Sequence, residues 1–343
     1  MVAGPVVSLR QPYNGGTEPF IVELSNYFVE HGHSVDVIAK DAEERDKFQL
    51  IEFSESPMSM KDDIHPEWRG QEYYRMFQYG LMNVEKYDVI HYNSFMPEIY
   101  AMGSFFSKPS VLTLHLPLSE KFKTTYGLFM KQAHPTCVAV SDRLQKEWQP
   151  YIGGSVEVIN NGVNLEKWPL VVQAKREYLL WSGRITSEKN PLDAIRIAKK
   201  MRKPLKIVGK IFDQAYFNQN IKSELNDSIT YEGHVERNEL QKLISGAAVF
   251  LATALWQEPF GLTILEMLAS GIPVVGYSSA IPPVLRHATV SRAVETTDWC
   301  KLLPEIQTAM SVDPAICREF AANFSLEAMA QKYMEVYAHV AKR

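Results

Sequence analysis

Two glutamates stand at the ends of the nine-residue stretch EPFGLTILE, at positions 258 and 266. A single amphipathic helix explains the stretch poorly, because its front half contains a proline and a glycine, which disfavour helix interiors. A loop that turns into a helix fits better, and it would direct backbone amides out of the helix start, at Phe260, Gly261 and Leu262. Amides in this position bind anions. The stretch therefore predicts an anion site flanked by Glu258 and Glu266; the alternative is a capped helix with two solvated glutamates.

Two cations lie on a second predicted loop in the same half of the chain. In WSGRITSEKNP, Arg184 and Lys189 follow a predicted strand and precede a helix that should begin near Pro191. Arginine offers a planar fork of donors and lysine a mobile point charge, a pair that suits two neighbouring phosphates. Loop cations are often only solvated. Together with the amides of the first stretch, however, these two predict a pyrophosphate site.

The front half of the chain offers two weaker signals. Gly15 and Gly16 precede a predicted helix, for which Thr17 is the expected N-cap residue. Glycines at a helix start let the backbone approach a ligand closely, although most Gly-Gly pairs are ordinary turns. His115 follows the apolar run SVLTL and would lie at the end of a strand, where ligands bind in open α/β sheets. A single histidine is more often structural.

The elements that must position these residues follow an alternating βα pattern that occurs twice. Helical stretches separate short β-branched runs, which are GPVVSL, SVDVIA, DVIHYN, SVLTLH, CVAVS and VEVIN, then YLLWSG, LKIVG, SITYEGH, AVFLAT and PVVGYS. This pattern is typical of parallel sheets covered by helices on both faces. A polar, proline-containing break near NNGVNLEKWPLVVQAKREYLL separates the two series. The break favours two doubly wound α/β domains over a TIM barrel, which needs one uninterrupted series of eight units.

Composition limits the functional classes. With 343 residues, 46% of them hydrophobic, the chain is suited to two domains. No apolar run approaches the ~18 residues of a membrane span, and the first residues lack the apolar region of a signal peptide. The three cysteines are scattered, so we expect reduced thiols and a cytoplasmic protein. The net charge of −4, with the acidic excess in the front half, argues against nucleic-acid binding.

Along nearly its whole length the chain resembles the retaining family-4 glycosyltransferases of the GT-B fold. The resemblance rests on these segments, in order: GGTE, EHGHSVDVIA, TLH, VAVSD, VINNGVN, SGRITSEKNP, IVG, YEGHV and EPFGLTILEMLASGIPVV. It implies two Rossmann-like doubly wound domains facing a central cleft, over residues 1–165 and 170–322. It further implies that a final helix, about 325–343, returns to the first domain. INNGV departs from the family pattern, in which a Pro-Asn-Gly turn is more usual.

The resemblance also implies an activity and residue roles. A hexose-type sugar would pass from a nucleoside diphosphate donor, UDP being the expected nucleotide from its frequency in the family, to an acceptor hydroxyl with retention of the anomeric configuration. Glu266 would bind the ribose and Glu258 the donor sugar, while Arg184 and Lys189 neutralise the departing diphosphate. The remaining implied contacts are His115 beside the transferring sugar, Glu18 on the acceptor side, Val235 at the base, and Gly15, Gly16, Phe260, Gly261 and Leu262 at the phosphates.

No cofactor is expected beyond the nucleotide-sugar co-substrate, and no metal. A metal-held diphosphate usually needs an Asp-x-Asp pair. The sequence has none; Asp62 and Asp63 are adjacent but lie in an irregular stretch.

The acceptor is open between a small molecule, a glycan and a lipid-linked sugar. Residues 119–134 mix lysines with aromatic residues, which fits either peripheral membrane contact or, as we favour, an ordinary amphipathic helix. Two other functional classes also remain open, namely a sugar-nucleotide epimerase with the same paired domains and a non-catalytic nucleotide-sugar-binding subunit.

Overall fold

The chain divides into two compact units. In the computed structural model, the first unit consists of Met1–Asn161 and Leu326–Arg343, and the second unit consists of Gly162–Ser325. The structure describes residues 1–52, 66–94, 96, 99, 103, 105–120, 123, 135–152, 154–171 and 176–342. Asp62, Asp63 and most of the predicted amphipathic segment 119–134 lie outside these residues.

Each unit is built on one parallel sheet. The first unit has the strand order β3-β2-β1-β4-β5-β6-β7, and the second unit has the order β10-β9-β8-β11-β12-β13. The strands of the first sheet are β1 (Val2–Ser8), β2 (Asp36–Asp41), β3 (Gln49–Glu52), β4 (Ile90–Tyr92), β5 (Ser110–Leu114), β6 (Thr136–Ala139) and β7 (Val156–Val158). Those of the second are β8 (Tyr178–Ser182), β9 (Leu205–Val208), β10 (Ile229–Tyr231), β11 (Ala247–Ala252), β12 (Val274–Tyr277) and β13 (Ser291–Val294).

Helices alternate with these strands in the described residues. They are α1 (Thr17–Glu30), α2 (Pro66–Asn83), α3 (Asp142–Trp148), α4 (Pro191–Met201), α5 (Gln214–Tyr216), α6 (Arg237–Ser245), α7 (Leu262–Ala269), α8 (Leu302–Ala309), α9 (Pro314–Ala322) and α10 (Leu326–Val340). A π-helical segment (Phe217–Ile221) and a 3-10 segment (Lys222–Glu224) extend α5. Four further 3-10 turns in the described residues are Val84–Lys86, Gln149–Tyr151, Pro283–Leu285 and Trp299–Lys301. The α/β fold class predicted from the sequence is thereby confirmed.

Helices α1 and α10 pack together in the core of the first unit. On α1, the apolar residues Ile21, Leu24 and Phe28 recur at helical spacing and are buried. They belong to one core cluster with Tyr333 and Val336 of α10. Burying a side chain of this size stabilises the fold by about 1.5–3 kcal/mol. The last helix of the chain is therefore part of the first unit's core.

A buried polar chain fixes α10 against the strands β4 and β5. His91 Nδ1 lies 2.6 Å from the Tyr337 hydroxyl, and His91 Nε2 lies 2.7 Å from Thr113 Oγ1. Thr113 Oγ1 is in turn 3.0 Å from the Tyr333 hydroxyl. Burial lowers the pKa of His91 well below its usual value, so the ring is neutral. Because buried polar groups need these partners, the network allows only one register of α10 on the sheet.

The strand order places a switch point in each sheet. In the first, β1 lies between β2 and β4, and in the second, β8 lies between β9 and β11. The connections on the two sides of such a point leave in opposite directions, which opens a crevice at the carboxyl ends of the strands. The segments that follow β1, β4, β8 and β11 are therefore the places to look for a ligand site in each unit.

Candidate active site

The two motifs of the second unit meet at its switch point. Arg184 and Lys189 follow β8, and the 258–266 stretch follows β11, which pairs directly with β8. The carboxyl ends of neighbouring parallel strands share one edge of the sheet. Two loops separated by about 70 residues in the sequence thus lie side by side.

Lys189 and Glu258 form an ion pair at this edge. The Lys189 ammonium contacts Glu258 Oε1, and the two side chains are only 15% and 17% exposed. The same ammonium lies 4.8 Å from the centroid of the Trp256 ring. Largely withdrawn from water, the pair is screened less than a surface pair would be. An anion that enters here meets a cation that is already held in place.

Arg184 has a similar surrounding but is more open to solvent. Its Nη2 lies 3.5 Å from Glu188 Oε1, and its guanidinium carbon lies 5.1 Å from the centroid of the Phe212 ring. One third of the side chain is exposed. Each of the two predicted phosphate-binding cations therefore has a carboxylate and an aromatic ring as neighbours.

The loop that carries these cations is held by a buried network. Asn190 adopts the left-handed conformation at φ 54°, and its Nδ2 donates to Asp193 Oδ2 at 2.6 Å. The Tyr277 hydroxyl donates to the same oxygen at 2.7 Å, and burial raises the pKa of this phenol. Thr253 Oγ1 donates to the Asn190 carbonyl at 2.8 Å. The residue after Lys189 is thus tied to β12 and to the end of β11, which keeps Lys189 at the sheet edge.

The helix start after β11 has the geometry that the sequence predicted. Gly261 precedes α7 with a φ of 84°, and no side chain caps the helix. A Cβ at Gly261 would lie 3.1 Å from Ile264 Cδ1, so both the backbone conformation and the space favour glycine. No described residue accepts a hydrogen bond from the amides of Phe260, Gly261 or Leu262. Glu266 lies half-buried one turn further along α7. This arrangement can bind an anion.

Val235 lies at the same edge of the second sheet. It follows β10 and comes two residues before α6, half-buried. Its side chain is apolar, so its polar contribution can come only from the backbone, as the resemblance implied.

The predicted residues of the first unit lie at the start of α1 and directly after β5. Gly15 and Gly16 are exposed, and Gly16, not Thr17, is the N-cap residue. The N-cap prediction was wrong because Gly16 supplies the junction without any side-chain cap. Glu18 is buried, and a Cβ on Gly15 would lie 3.4 Å from its Oε2. The carboxylate of Glu18 therefore lies beside the Gly-Gly turn.

His115 follows β5 directly and is held as a neutral ring. Its Nε2 lies 3.1 Å from Asn93 Oδ1, and the Phe20 ring packs edge-on with its centroid 4.8 Å away. Desolvation lowers the pKa of His115 to about 3. With Nε2 donating to the amide oxygen, Nδ1 is an acceptor. At neutral pH this histidine can exchange hydrogen bonds but carries no positive charge.

Sequence reasoning missed four residues of these surroundings. They are Asn93, Glu188, Phe212 and Trp256. Asn93 and Phe212 come from loops that carry no motif. Glu188 lies inside the quoted WSGRITSEKNP motif, directly before Lys189, and Trp256 lies two residues before Glu258. Their position next to these predicted site residues was the signal by which they could have been found.

The described residues form neither a metal cluster nor a membrane-spanning helix. No group of three histidine, cysteine, aspartate or glutamate side chains there could hold a metal ion. No helix in that part of the chain combines the length and apolar character needed to cross a bilayer.

Two family models match the chain, one for each half. The model of Glycosyltransferase Family 4 matches residues 14–167, and the model of Glycosyl transferases group 1 matches residues 163–323. A glycogen synthase of Mycobacterium tuberculosis is 27% identical over 215 residues, which are 55% of this chain and 51% of that protein. The chain thus spans about half the length of this relative. An uncharacterized glycosyltransferase of Methanocaldococcus jannaschii is 24% identical over 319 residues, covering 80% of this chain and 79% of that protein.

Solved structures share the fold over the whole chain. A glycosyltransferase from Rickettsia africae has a TM-score of 0.76 at 19% identity and covers 100% of this chain and 99% of its own. Anabaena HepE, in complex with UDP and glucose, has a TM-score of 0.74 at 17% identity, with 98% and 99% covered. Together with the two family models, the paired parallel sheets show that the chain belongs to the family-4-type glycosyltransferases of the GT-B fold.

Proposed function

We propose that the chain is a retaining glycosyltransferase that moves a hexose from a UDP-sugar to an acceptor hydroxyl without a metal ion. One observation carries the proposal. Two cations, Arg184 and Lys189, and the uncapped start of α7 converge on the carboxyl edge of β8 and β11. This set of donors suits a diphosphate.

Cations and backbone amides at this edge of the sheet suit the chemistry of sugar transfer. As the bond between sugar and phosphate stretches, the departing diphosphate gains negative charge. Fixed cations and backbone amides directed at that charge bind the transition state more strongly than the ground state, and this difference accelerates the reaction. Lys189 and the α7 amides are held before the donor arrives, so little reorganisation is needed.

The carboxylates of the second unit are assigned to the sugars of the donor. Glu258 uses Oε1 for Lys189, which leaves Oε2 to accept from a hydroxyl of the transferred hexose. Glu266, one turn into α7, would accept from the ribose hydroxyls, and the backbone at Val235 would contact the base. UDP is proposed because HepE, which shares the fold, was solved with UDP and with UDP-glucose.

The residues of the first unit are assigned to the acceptor and the transferred sugar. His115, neutral at pH 7, would accept a hydrogen bond from a sugar hydroxyl at Nδ1 without contributing charge. Glu18 would contact the acceptor hydroxyl, and the Gly15-Gly16 turn would admit phosphate oxygens close to the backbone. The acceptor can be a small molecule, a glycan or a lipid-linked sugar.

Product analysis tests this function. The intact chain would be incubated with a panel of UDP-hexoses and candidate acceptors, and the products examined by mass spectrometry and by the anomeric proton coupling in NMR spectra. We expect a glycosylated acceptor with the donor's anomeric configuration. Isomerised donor without acceptor would indicate an epimerase instead, and donor binding without turnover a binding subunit. A product with the inverted anomeric configuration would contradict the retaining mechanism but not the transfer of the sugar.

A further inference from the structure

Each cation of the candidate site lies against the face of an aromatic ring. The guanidinium of Arg184 is 5.1 Å from the centroid of Phe212, and the ammonium of Lys189 is 4.8 Å from that of Trp256. Both distances lie within the ~6 Å at which a ring attracts a cation. We propose that Phe212 and Trp256 are positioning residues that hold the two cations ready for the diphosphate. This inference rests on the proposed function.

Backbone hydrogen bonds bring Phe212 to Arg184. The loop after β9 is joined to the loop after β8 at Ile185, whose amide donates to the Lys210 carbonyl at 2.8 Å. The amides of Phe212 and Asp213 donate back to the Ile185 carbonyl at 3.3 and 3.1 Å. Since Ile185 directly follows Arg184, the two side chains leave neighbouring, connected backbone positions. The Phe212 side chain is nevertheless 44% exposed, so core packing does not account for its placement.

A second set of bonds brings Trp256 to Lys189. The Leu255 amide donates to the Glu188 carbonyl at 2.8 Å, which joins the loop after β11 to the loop that carries Lys189. The Glu258 amide donates to the Ser279 carbonyl at 2.9 Å and fixes the other side of Trp256. Both rings are thus held by loops that are tied to the loop of their cation.

An aromatic ring can hold a cation in a diphosphate site without cancelling its charge, whereas a carboxylate cannot. Glu188 and Glu258 also hold the cations, but each cancels the charge that the ligand needs. An aromatic face attracts the cation without neutralising it. Long side chains such as arginine and lysine lose rotamer freedom when they are fixed in one position, and a supporting ring removes part of that cost before the ligand binds.

Binding measurements with the intact chain separate positioning from mere structural support. UDP would be titrated by calorimetry into the parental chain and into Phe212→Leu and Trp256→Leu, which keep an apolar side chain but lose the ring. Phe212→Tyr and Trp256→Phe keep a ring face. Leu255→Ala, a change of an exposed side chain beside Trp256, is the matched control. Uridine, which lacks the diphosphate, would be titrated in parallel by NMR.

We expect UDP to bind about 3- to 30-fold more weakly to each leucine variant, from the usual strength of a cation–ring contact. Uridine affinity should stay at the parental level, and the tyrosine, phenylalanine and Leu255→Ala variants should bind both ligands like the parent. Equal losses for UDP and uridine, or parental UDP affinity in the leucine variants, would overturn the inference. A parental chain that does not bind UDP would overturn the proposed function itself.

Discussion

Arg184 and Lys189 should matter for turnover far more than for folding. Replacing either with alanine removes a fixed cation from the departing diphosphate, which should cost roughly 2–4 kcal/mol of transition-state stabilisation, or about 30- to 1000-fold in kcat/KM. Steady-state kinetics with the donor identified by product analysis, together with thermal melting, would measure both effects. The matched control is Lys242→Ala, because the Lys242 side chain is 70% exposed and pairs with Glu239 on the same helix. Near-parental kcat/KM in folded variants of both cations would show that they are surface charges.

His115 should make the first unit less stable in acid. Its pKa is about 3 in the folded chain and near 6.5 in an unfolded one. Between these values only the unfolded chain binds the proton, so the free energy of unfolding falls as the pH drops from about 6.5 towards 3. Above that range the histidine contributes no pH dependence.

The measurement compares the parental chain with His115→Gln, which has no titrating ring. Hydrogen exchange of the β5 amides at increasing urea would report unfolding of the first unit at pH 7.5 and pH 5. We expect the stability lost on acidification to be smaller in the variant, because the titrating ring is gone and because His115 no longer helps to lower the pKa of His91. An identical loss in the two chains would mean that His115 can be protonated in the folded state.

Features of the candidate site could be predicted from the sequence where a single motif contains all the residues that form them. The helix start at Gly261 is a local property of a glycine before an apolar run, and the structure places it at that residue. The pairing of Lys189 with Glu258, and the rings beneath the two cations, depend on which loops the sheet brings together. That information lies in the strand order and not in either motif.

At the scale of elements, the second sheet requires the backbone at Gly209, directly after β9, to lie very close to the backbone that follows β8. Its φ is 137°, and a Cβ there would lie 1.9 Å from the Gly183 carbonyl oxygen that follows β8. Gly209→Ala should therefore destabilise the second unit by about 2–5 kcal/mol, from overpacking and backbone strain together, since neither backbone can give way without disturbing the sheet. Urea unfolding would measure the loss.

Gly233→Ala is the matched control for this effect. Gly233 also has a positive φ, of 86°, but among the described residues other than its chain neighbours no atom lies within 4 Å of the position of its Cβ. It should cost only about 1–2 kcal/mol from backbone strain. Equal costs at the two positions would show that the strand ends separate easily.

Eleven of the thirteen strands of the described residues were predictable from the sequence, and the two that were missed are edge strands. Each β-branched run predicted as a strand overlaps one, because parallel strands that are buried on both faces need continuous apolar residues. Two of the predicted strands, β7 and β10, are also edge strands, but both start with an apolar residue. The two strands that were missed, β3 with QLIE and β13 with SRAV, lie at the ends of their sheets. An edge strand is partly solvated, so polar residues interrupt the apolar run by which a strand is recognised.

At the scale of the whole molecule, transfer should survive removal of divalent metals. Arg184, Lys189 and the α7 amides supply the positive charge that a metal would otherwise bring to the diphosphate. A chelator cannot remove these groups. After exhaustive treatment with EDTA, the initial rate of transfer should equal that of an untreated sample at the same ionic strength. Loss of activity that Mn²⁺ or Mg²⁺ alone restores would show that the proposed clamp is incomplete.

The chain enters and leaves the second unit at neighbouring points. The Val163 amide donates to the Phe324 carbonyl at 2.8 Å, and Val163 pairs with Ser325. The second unit is therefore a continuous insertion, whereas the first is completed by α10, whose Tyr333 and Val336 belong to its core. During translation, the strands of the first unit are synthesised before the second unit, but the core of the first unit is complete only after α10 has been synthesised. Ribosome-bound chains that have not yet exposed residues 326–340 should contain a protease-resistant second unit beside a protease-sensitive first one, and resistance of both would show that the first unit folds without α10.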